Sequence, residues 1–455
     1  MSVEALLPYP ARLLPPAGAR RHAGKRLREQ LPRSCHATWK TTPDRPDPID
    51  LLRHTDRGRL PSLIPIRYGR MLPSPVAFLR GAAVLMANDL SRTPTTGITT
   101  QLCGDAHLDN FGGYATPERA LIFDLNDFDE TLVGPWEWDV KRLAASTVVA
   151  GRVNGLSDHD CRAAARAAVR SYREHMHAYA AMRFIEIWYS AIDATEVVDR
   201  LSTPAVADAV LIKARRNGNP ETLPRLAEPV SDGYRIVDEP PLVTHRTYPL
   251  KQRIADVWAG YRASLPEDRR VLLDRYRLVD VARKVVGVGS VGLRCFVALL
   301  LGNDDEDPLF LQFKEARPSV LLPFARPSPY ANQGKRVASG QRVMQAASDV
   351  FLGWTRCGPV DYYVRQLRDM KASIPTDRLD AGDLAAYAAL CGWALARAHA
   401  CSGDPARIGG YLGTGDAFDR AIGEFAVAYA DQIERDHAAL VRAVNAGRVA
   451  AERGV

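Results

Sequence analysis

Two short acidic segments carry residue types suited to chemistry: Gly104-Asp105-Ala106-His107-Leu108-Asp109-Asn110 and Phe123-Asp124-Leu125-Asn126-Asp127-Phe128-Asp129. Transfer of a phosphoryl group to a hydroxyl needs a carboxylate placed for the acceptor proton, and oxygen ligands that hold Mg2+ against a triphosphate. Asp105 suits the first task. Asn110, five residues later, and Asp127 suit the second, with Asp124 and Asp129 as competing or assisting metal ligands. One Asp and one Asn in a turn are equally well explained as loop closures. Two acid-rich loops beside a single hairpin are harder to explain that way, because gathered like charges repel unless a cation or base neutralises them. His107 is a lone loop histidine and stays outside the chemical core.

A second constellation follows about two hundred residues later. Gly287, Gly289, Ser290 and Gly292 lie between apolar segments at 279–288 and 293–301. A dinucleotide-binding loop would lead into a helix, but Leu293-Arg294-Cys295-Phe296-Val297 has the character of a strand. A glycine loop between two strands lets the backbone approach phosphates, although an ordinary hairpin also uses glycine for positive φ. Lys314 closes the next strand, Leu311-Gln312-Phe313-Lys314, and is one of only nine lysines against 51 arginines. An ammonium there is suited to neutralise α and β phosphates, and Glu315 beside it points to the opposite face. Asp139, in Trp136-Glu137-Trp138-Asp139, opens a helix and caps it, or braces the catalytic loop from below. Arg67, Arg70 and Arg80 precede that loop and are placed to read an anionic acceptor.

The elements that must position these residues divide the chain into five parts. Residues 1–60 are rich in Pro and Arg, and prolines at 8, 10, 15, 16, 43, 46 and 48 predict an arm without long helices. Residues 61–190 read as a helical lobe around a small β element, with helices over 78–90, 139–150 and from Ser157 to about 190. Residues 191–245, punctuated by Asn217-Gly218-Asn219-Pro220 and Asp238-Glu239-Pro240-Pro241, read as a linker or irregular insertion. Residues 246–375 form a β-rich lobe with strands over 279–288, 293–301, 309–313 and 362–367 and a helix over 336–353. Residues 376–455 supply helices over 381–401 and 416–444 that complete the helical lobe.

The formal charge of +7 invites a nucleic-acid reading, but residues 1–45 alone hold nine bases and three acids. The remaining body is within one charge of neutral, so nucleic acid is not the expected partner and the arm is expected to dock on acidic patches of the body. Seven cysteines without a Cys-x-x-Cys, no secretory pattern and no apolar run of about 18 residues predict a cytoplasmic protein with no membrane span.

Taken together, Arg70-Met71-Leu72-Pro73-Ser74-Pro75, Phe78-Leu79-Arg80-Gly81, Gly104-Asp105-Ala106-His107, Asn126-Asp127-Phe128-Asp129-Glu130-Thr131, Trp136 to Arg142, Lys314-Glu315-Ala316-Arg317, Gln345-Ala346-Ala347-Ser348-Asp349 and Leu395-Ala396-Arg397-Ala398-His399-Ala400 resemble a large bacterial family of the domain-of-unknown-function type (DUF2252), over about 22–445. More distantly, the Gly-Asp-x-His-x-x-Asn loop is similar to that of aminoglycoside and choline phosphotransferases. That resemblance implies an α+β fold of the two-lobed protein-kinase type, with ATP and Mg2+ as cofactors and an unidentified acceptor. Lys314 follows Asp105 here, so such a fold would be circularly permuted, which is allowed because a site is assembled in space. The kinase lysine pairs with a Glu on the next helix, yet no Glu occurs between Ala316 and Met370. Asp349 or Gln341 would substitute, or nucleotide alone would hold Lys314. Three other readings stay open: a nucleotide-binding pseudokinase, a metal-dependent hydrolase built on the Asp cluster, and a nucleic-acid binder acting through the arm.

Overall fold

The computed structural model describes residues 14–193, 196–197, 219–231, 233–245, 253–367 and 373–455. Pro15 and Pro16 do not prevent a helix; they immediately precede α1 (Ala17–Gln30), where a proline's fixed φ is compatible with a helix start. The arm is therefore helical, and its arginines are engaged by the body. Arg28 and Arg33 donate to the carbonyls of Tyr411 at 2.9 Å and Leu412 at 2.6 Å, the negative end of a distant helix. Arg20 pairs with Asp404 at 2.6 Å. Arg45 lies between Asp89 at 2.8 Å and Asp436 at 2.6 Å, with all three side chains buried.

The helical body continues with α2 (Pro48–Asp56), α3 (Ile64–Met71), α4 (Pro75–Gly81) and α5 (Ala83–Leu90). The single helix expected over 78–90 is broken between α4 and α5. The carbonyls of Leu79 and Gly81 accept from Arg142 and Arg67, each at 3.0 Å, where an unbroken helix would offer them to its own amides. Strand β1 (Thr99–Leu102) precedes the hairpin β2 (Phe111–Ala115) and β3 (Leu121–Leu125), and β4 (Leu132–Pro135) returns antiparallel to β1. Then come α6 (Glu137–Val153) and α7 (Asp158–Ala181), whose first turn is capped by Ser157 Oγ accepting from the Asp160 amide at 3.1 Å. The separate helix α8 (Phe184–Tyr189) and strand β5 (Ile192–Asp193), which extends the β2–β3 hairpin, close this part.

The stretch expected as a linker over 191–245 lies partly outside the described residues. Its described part is built: α9 (Asn219–Leu226), β6 (Ala227–Val230), β7 (Gly233–Ile236) and β8 (Val243–Thr244). After α10 (Ile254–Ser264) and α11 (Glu267–Leu273) the chain forms β9 (Arg277–Lys284), β10 (Cys295–Leu301), β11 (Pro308–Ala316), α12 (Gln333–Met344), β12 (Gly353–Cys357) and β13 (Val360–Gln366). One antiparallel sheet results, in the order β12-β13-β11-β10-β9-β8. Alternation along β11 sends Leu309, Leu311 and Phe313 into the core beneath α10 and α11. Phe310 faces the other way, into the core made with α9 and β6–β8. Helix α12 stops at Met344, short of the expected 353, because the next residues bond to β3. Gln345 Nε2 donates to the Leu125 carbonyl at 2.7 Å and the Ala346 amide to Asp124 Oδ2 at 2.8 Å.

Helices α13 (Ala381–Ser402), α14 (Pro405–Leu412) and α15 (Ala417–Asn445) return to the first body and share its large core. The architecture is α+β: helices around small antiparallel hairpins, and a helix-covered antiparallel sheet. Among the described residues no helix is long and apolar enough to cross a membrane.

Candidate functional site

Strand β1 runs into the loop that holds Asp105, and the loop is fixed from beneath. Asp139, in the first turn of α6, accepts from the amides of Cys103 at 2.8 Å and Gly104 at 3.1 Å. His399 of α13 lies 3.3 Å from the same carboxylate and is itself held by the Tyr172 hydroxyl at 2.9 Å. Of the two roles considered for Asp139, its side chain performs the bracing of the loop; α6 opens at Glu137, with Trp136 as N-cap and no side-chain cap, and Asp139 only adds its charge to the first turn. Gly104 has φ +84°, and a Cβ there would meet the Glu130 backbone, so glycine is required at this turn.

Asp105 is held by Arg142, one turn further along α6, in a close ion pair. Burial pushes the Asp105 carboxyl up to about 6; Arg142 opposes the rise and Asp127 adds to it. His107 is buried and pushed down to about 3, hence neutral, and its Nε2 is 3.8 Å from Asp105. Asn110 Nδ2 donates to the Asp105 carbonyl at 2.6 Å, and the Asn126 amide donates to the Asn110 carbonyl at 2.8 Å. Those two bonds tie the first acidic loop to the second.

The second loop meets Lys314. Its ammonium lies 2.5 Å from Asp129 Oδ2 and 3.7 Å from Asp127 Oδ2, and the side chain is 4% exposed. Burial works against the ammonium's charge, but Asp127 and Asp129 outweigh it and hold the lysine protonated. Reciprocally, Lys314 and Arg365 overcome burial at Asp127 and keep its carboxyl below the usual range. Asp129 also accepts from Tyr363 at 2.8 Å and Ser290 at 3.2 Å. Neither substitute considered for the missing helix Glu touches Lys314. Asp349 accepts from the Gln366 amide and side chain and from Phe351, and Gln341 bonds Gln345. The lysine's partner comes from the acidic loop. Glu315, as expected from alternation, turns away and pairs with Arg294 at 3.0 Å and Arg317 at 2.9 Å.

Gly287 to Ser290 form a turn between β9 and β10. Arg70 donates to the Gly287 carbonyl at 2.6 Å, which ties this loop to α3. Gly287 has φ +64°, and a Cβ on Gly289 would sit 3.2 Å from the Arg80 carbonyl. A cavity of about 760 Å³ opens beneath the loop. Its wall brings together Asp105, Asn110, Asp127, Asp129, Lys314 and residues 287–290, from segments separated by about two hundred residues. Three predicted residues are not on that wall: Arg70, which instead ties the loop to α3, Gly292 and Asp124. Gly292 turns the chain back into β10, its carbonyl accepting from the Leu60 amide at 2.8 Å. Asp124 is buried behind β3, where it holds the Leu125 and Ala346 amides, each at 2.8 Å.

Sequence reasoning missed Arg142, which holds Asp105, the cavity-lining Gln312 and Arg365, and α2, whose Leu51, His54 and Thr55 line the same cavity. Arg365 follows Tyr363 on the same face of β13 by strand alternation, a signal available once Lys314 on the neighbouring strand was suspected. Among the described residues, no group of three or more His, Cys, Asp or Glu side chains is gathered closely enough to hold a metal alone. Asn110 and Asp127 are oxygen donors of the kind Mg2+ accepts when phosphates supply the rest.

Fold and site define an α+β protein whose acidic loops and strand lysine share one chamber. The chain belongs to the bacterial family described as "Uncharacterized protein conserved in bacteria (DUF2252)", which matches residues 59–443. No curated protein and no solved structure matches it.

Proposed function

We propose that this protein is an ATP- and Mg2+-dependent phosphotransferase with a kinase-like, circularly permuted, two-lobed arrangement, acting on a hydroxyl acceptor. The observation that carries the reading is the convergence of Lys314, Asp127, Asn110, Asp105 and the 287–290 loop on one cavity, with Lys314 3.7 Å from Asp127. The order strand, glycine loop, strand, lysine strand, helix, two strands supports it as well.

Lys314 neutralises phosphate charge, and residues 287–290 cover the phosphates with backbone amides. Asn110 and Asp127 would hold Mg2+, which supplies charge neutralisation at the transferring group. Asp129 assists after giving up its contact with Lys314. Asp105 orients the acceptor hydroxyl and takes its proton; the hydroxyl oxygen bonds to the γ-phosphorus, the bond to the β-bridging oxygen breaks, and ADP leaves with the electron pair. Arg142 keeps Asp105 in place, and Asp139 keeps the loop in place. A hydrolase built on the Asp cluster alone would need a closer group of acidic ligands. One observation favours nucleotide binding without transfer: α12 gives Lys314 no carboxylate, and the acidic loop that serves it must also bind metal.

The test is ATP binding to the full chain with and without Mg2+, followed by ADP release on addition of candidate alcohols. Mg2+-dependent binding abolished by Lys314→Ala supports the reading. Binding without any turnover supports the pseudokinase, and full activity in Lys314→Ala refutes the role of the lysine.

A further inference from the structure

The chamber has a second cationic wall that the phosphate-binding reading does not use. Four guanidiniums, Arg59, Arg67, Arg294 and Arg317, of which Arg59, Arg67 and Arg317 line the cavity, are gathered around the carboxylates of Asp56 and Glu315. Arg67 pairs with Asp56 at 2.6 Å, while Arg294 and Arg317 share Glu315. Arg59 has carbonyl partners alone, Thr55 at 3.0 Å and Val291 at 2.5 Å. Burial first, then the nearby Arg67 and Arg317, push Arg59 down to about 9, against the opposing pull of Asp56 and Glu315. The Nε of Arg67, a residue 1% exposed, has no hydrogen-bond partner among the described residues, although Arg67 lies on the cavity wall.

Part of this cluster has an architectural use, since Arg317 donates to the Thr55 carbonyl at 3.3 Å and the Arg57 carbonyl at 2.8 Å at the end of α2. Half a charge from a helix end does not balance two surplus guanidiniums. Two further arginines, Arg57 and Arg80, line the same cavity, and Arg80 is 38% exposed with a single Asp109 contact at 3.0 Å. The groups acting on Lys314 are Asp127, Asp129, Tyr363 and Arg365, and those acting on Arg59 are Arg67, Arg317, Asp56 and Glu315. The cavity therefore holds two separate cationic groups: Lys314 with Arg365, whose charge Asp127 and Asp129 balance, and the arginines around Arg59. One suits the nucleotide phosphates. The other remains for the acceptor.

Resting on the phosphotransferase reading, we infer that the acceptor is a small hydroxylated anion, an alcohol bearing a phosphate or a carboxylate, whose charged group is bound by the Arg57, Arg59, Arg67, Arg80 and Arg317 wall. A guanidinium fork matches either anion in bidentate fashion. The anion anchors the acceptor at one end, and Asp105, on the wall of the same cavity, receives the hydroxyl at the other.

Isothermal titration of the full chain, presaturated with MgADP, with sodium sulfate and in parallel with sodium acetate at matched ionic strength, tests this. The two probes separate a phosphate-bearing from a carboxylate-bearing acceptor. We expect one of them to bind alongside MgADP, and Arg57→Gln and Arg80→Gln, both altered at partly exposed side chains, to weaken it at least tenfold while MgADP affinity changes less than twofold. The inference is overturned if neither probe binds the MgADP complex, if both variants keep the wild-type probe affinity, or if the variants lose MgADP affinity instead. Failure of MgADP itself to bind refutes the nucleotide reading separately, and with it an acceptor role for the wall.

Discussion

Replacing Lys314 by Met keeps the length and apolar body of the side chain and removes only its charge. Asp127 and Asp129, 35% and 25% exposed, then remain in a partly buried site from which one neutralising cation is gone. Removing one partner from a buried ion pair costs about 3–5 kcal/mol. Here Tyr363 and Ser290 still donate to Asp129, Arg365 still favours ionised Asp127, and both carboxylates reach solvent that screens them, so a smaller loss, about 1–3 kcal/mol, is expected. The sign of the pH dependence follows from Asp127, whose folded-state pKa lies below its ordinary value. Such a group contributes stability above its unfolded pKa, about 3.9, that is lost as pH falls through the folded value. The deficit of Lys314→Met should accordingly be complete above about pH 5 and shrink in more acid solution. Added MgCl2 should recover part of the loss in the variant by occupying the vacated charge site, with little effect on the wild type. Urea unfolding at 25 °C over a pH series measures all three. A variant within about 0.5 kcal/mol of wild type at neutral pH, or a deficit that does not change with pH, would refute the claim that Lys314 neutralises the acidic loop.

Two other perturbations probe separate parts of the account. Because the Asp105 carboxyl sits near 6, transfer should rise with pH to a plateau above about 6; Asp105→Asn should lose that limb and fall by about 10²–10⁴-fold in rate with MgATP affinity retained, as read from a pH–rate profile. Arg45→Met should leave Asp89 and Asp436 buried without their base, cost about 3–5 kcal/mol in urea unfolding, and expose residues 14–45 to protease.

The strands around the glycine loop were legible because their apolar runs are continuous and end at glycine or acidic turns, so 309–313 was found inside Pro308–Ala316 and 293–301 overlaps Cys295–Leu301. The long C-terminal helices were legible from their periodicity, and Asp105, Asn110 and Asp127 from their spacing. What escaped was whatever depends on contacts distant in sequence. Asp129 as the partner of Lys314 is invisible to a search along the following helix, because the two meet only when the acidic loop is folded beneath β11. Asp124, chemically the equal of Asp127, faces the other side of β3, a distinction that strand alternation suggests but the surrounding acidic turn obscures. The α2 contribution to the cavity was hidden by composition. Prolines that end irregular segments also begin helices: α1 follows Pro16 and α2 starts with Pro48.

The most direct test of the central claim is a crystal structure of the full chain with a non-hydrolysable ATP analogue and MgCl2. The account predicts phosphates between Lys314 and residues 287–290, Mg2+ on Asp127 and Asn110, and the Lys314–Asp129 contact opened. A nucleotide bound outside this cavity, or inside it without contact to Lys314, would contradict the account.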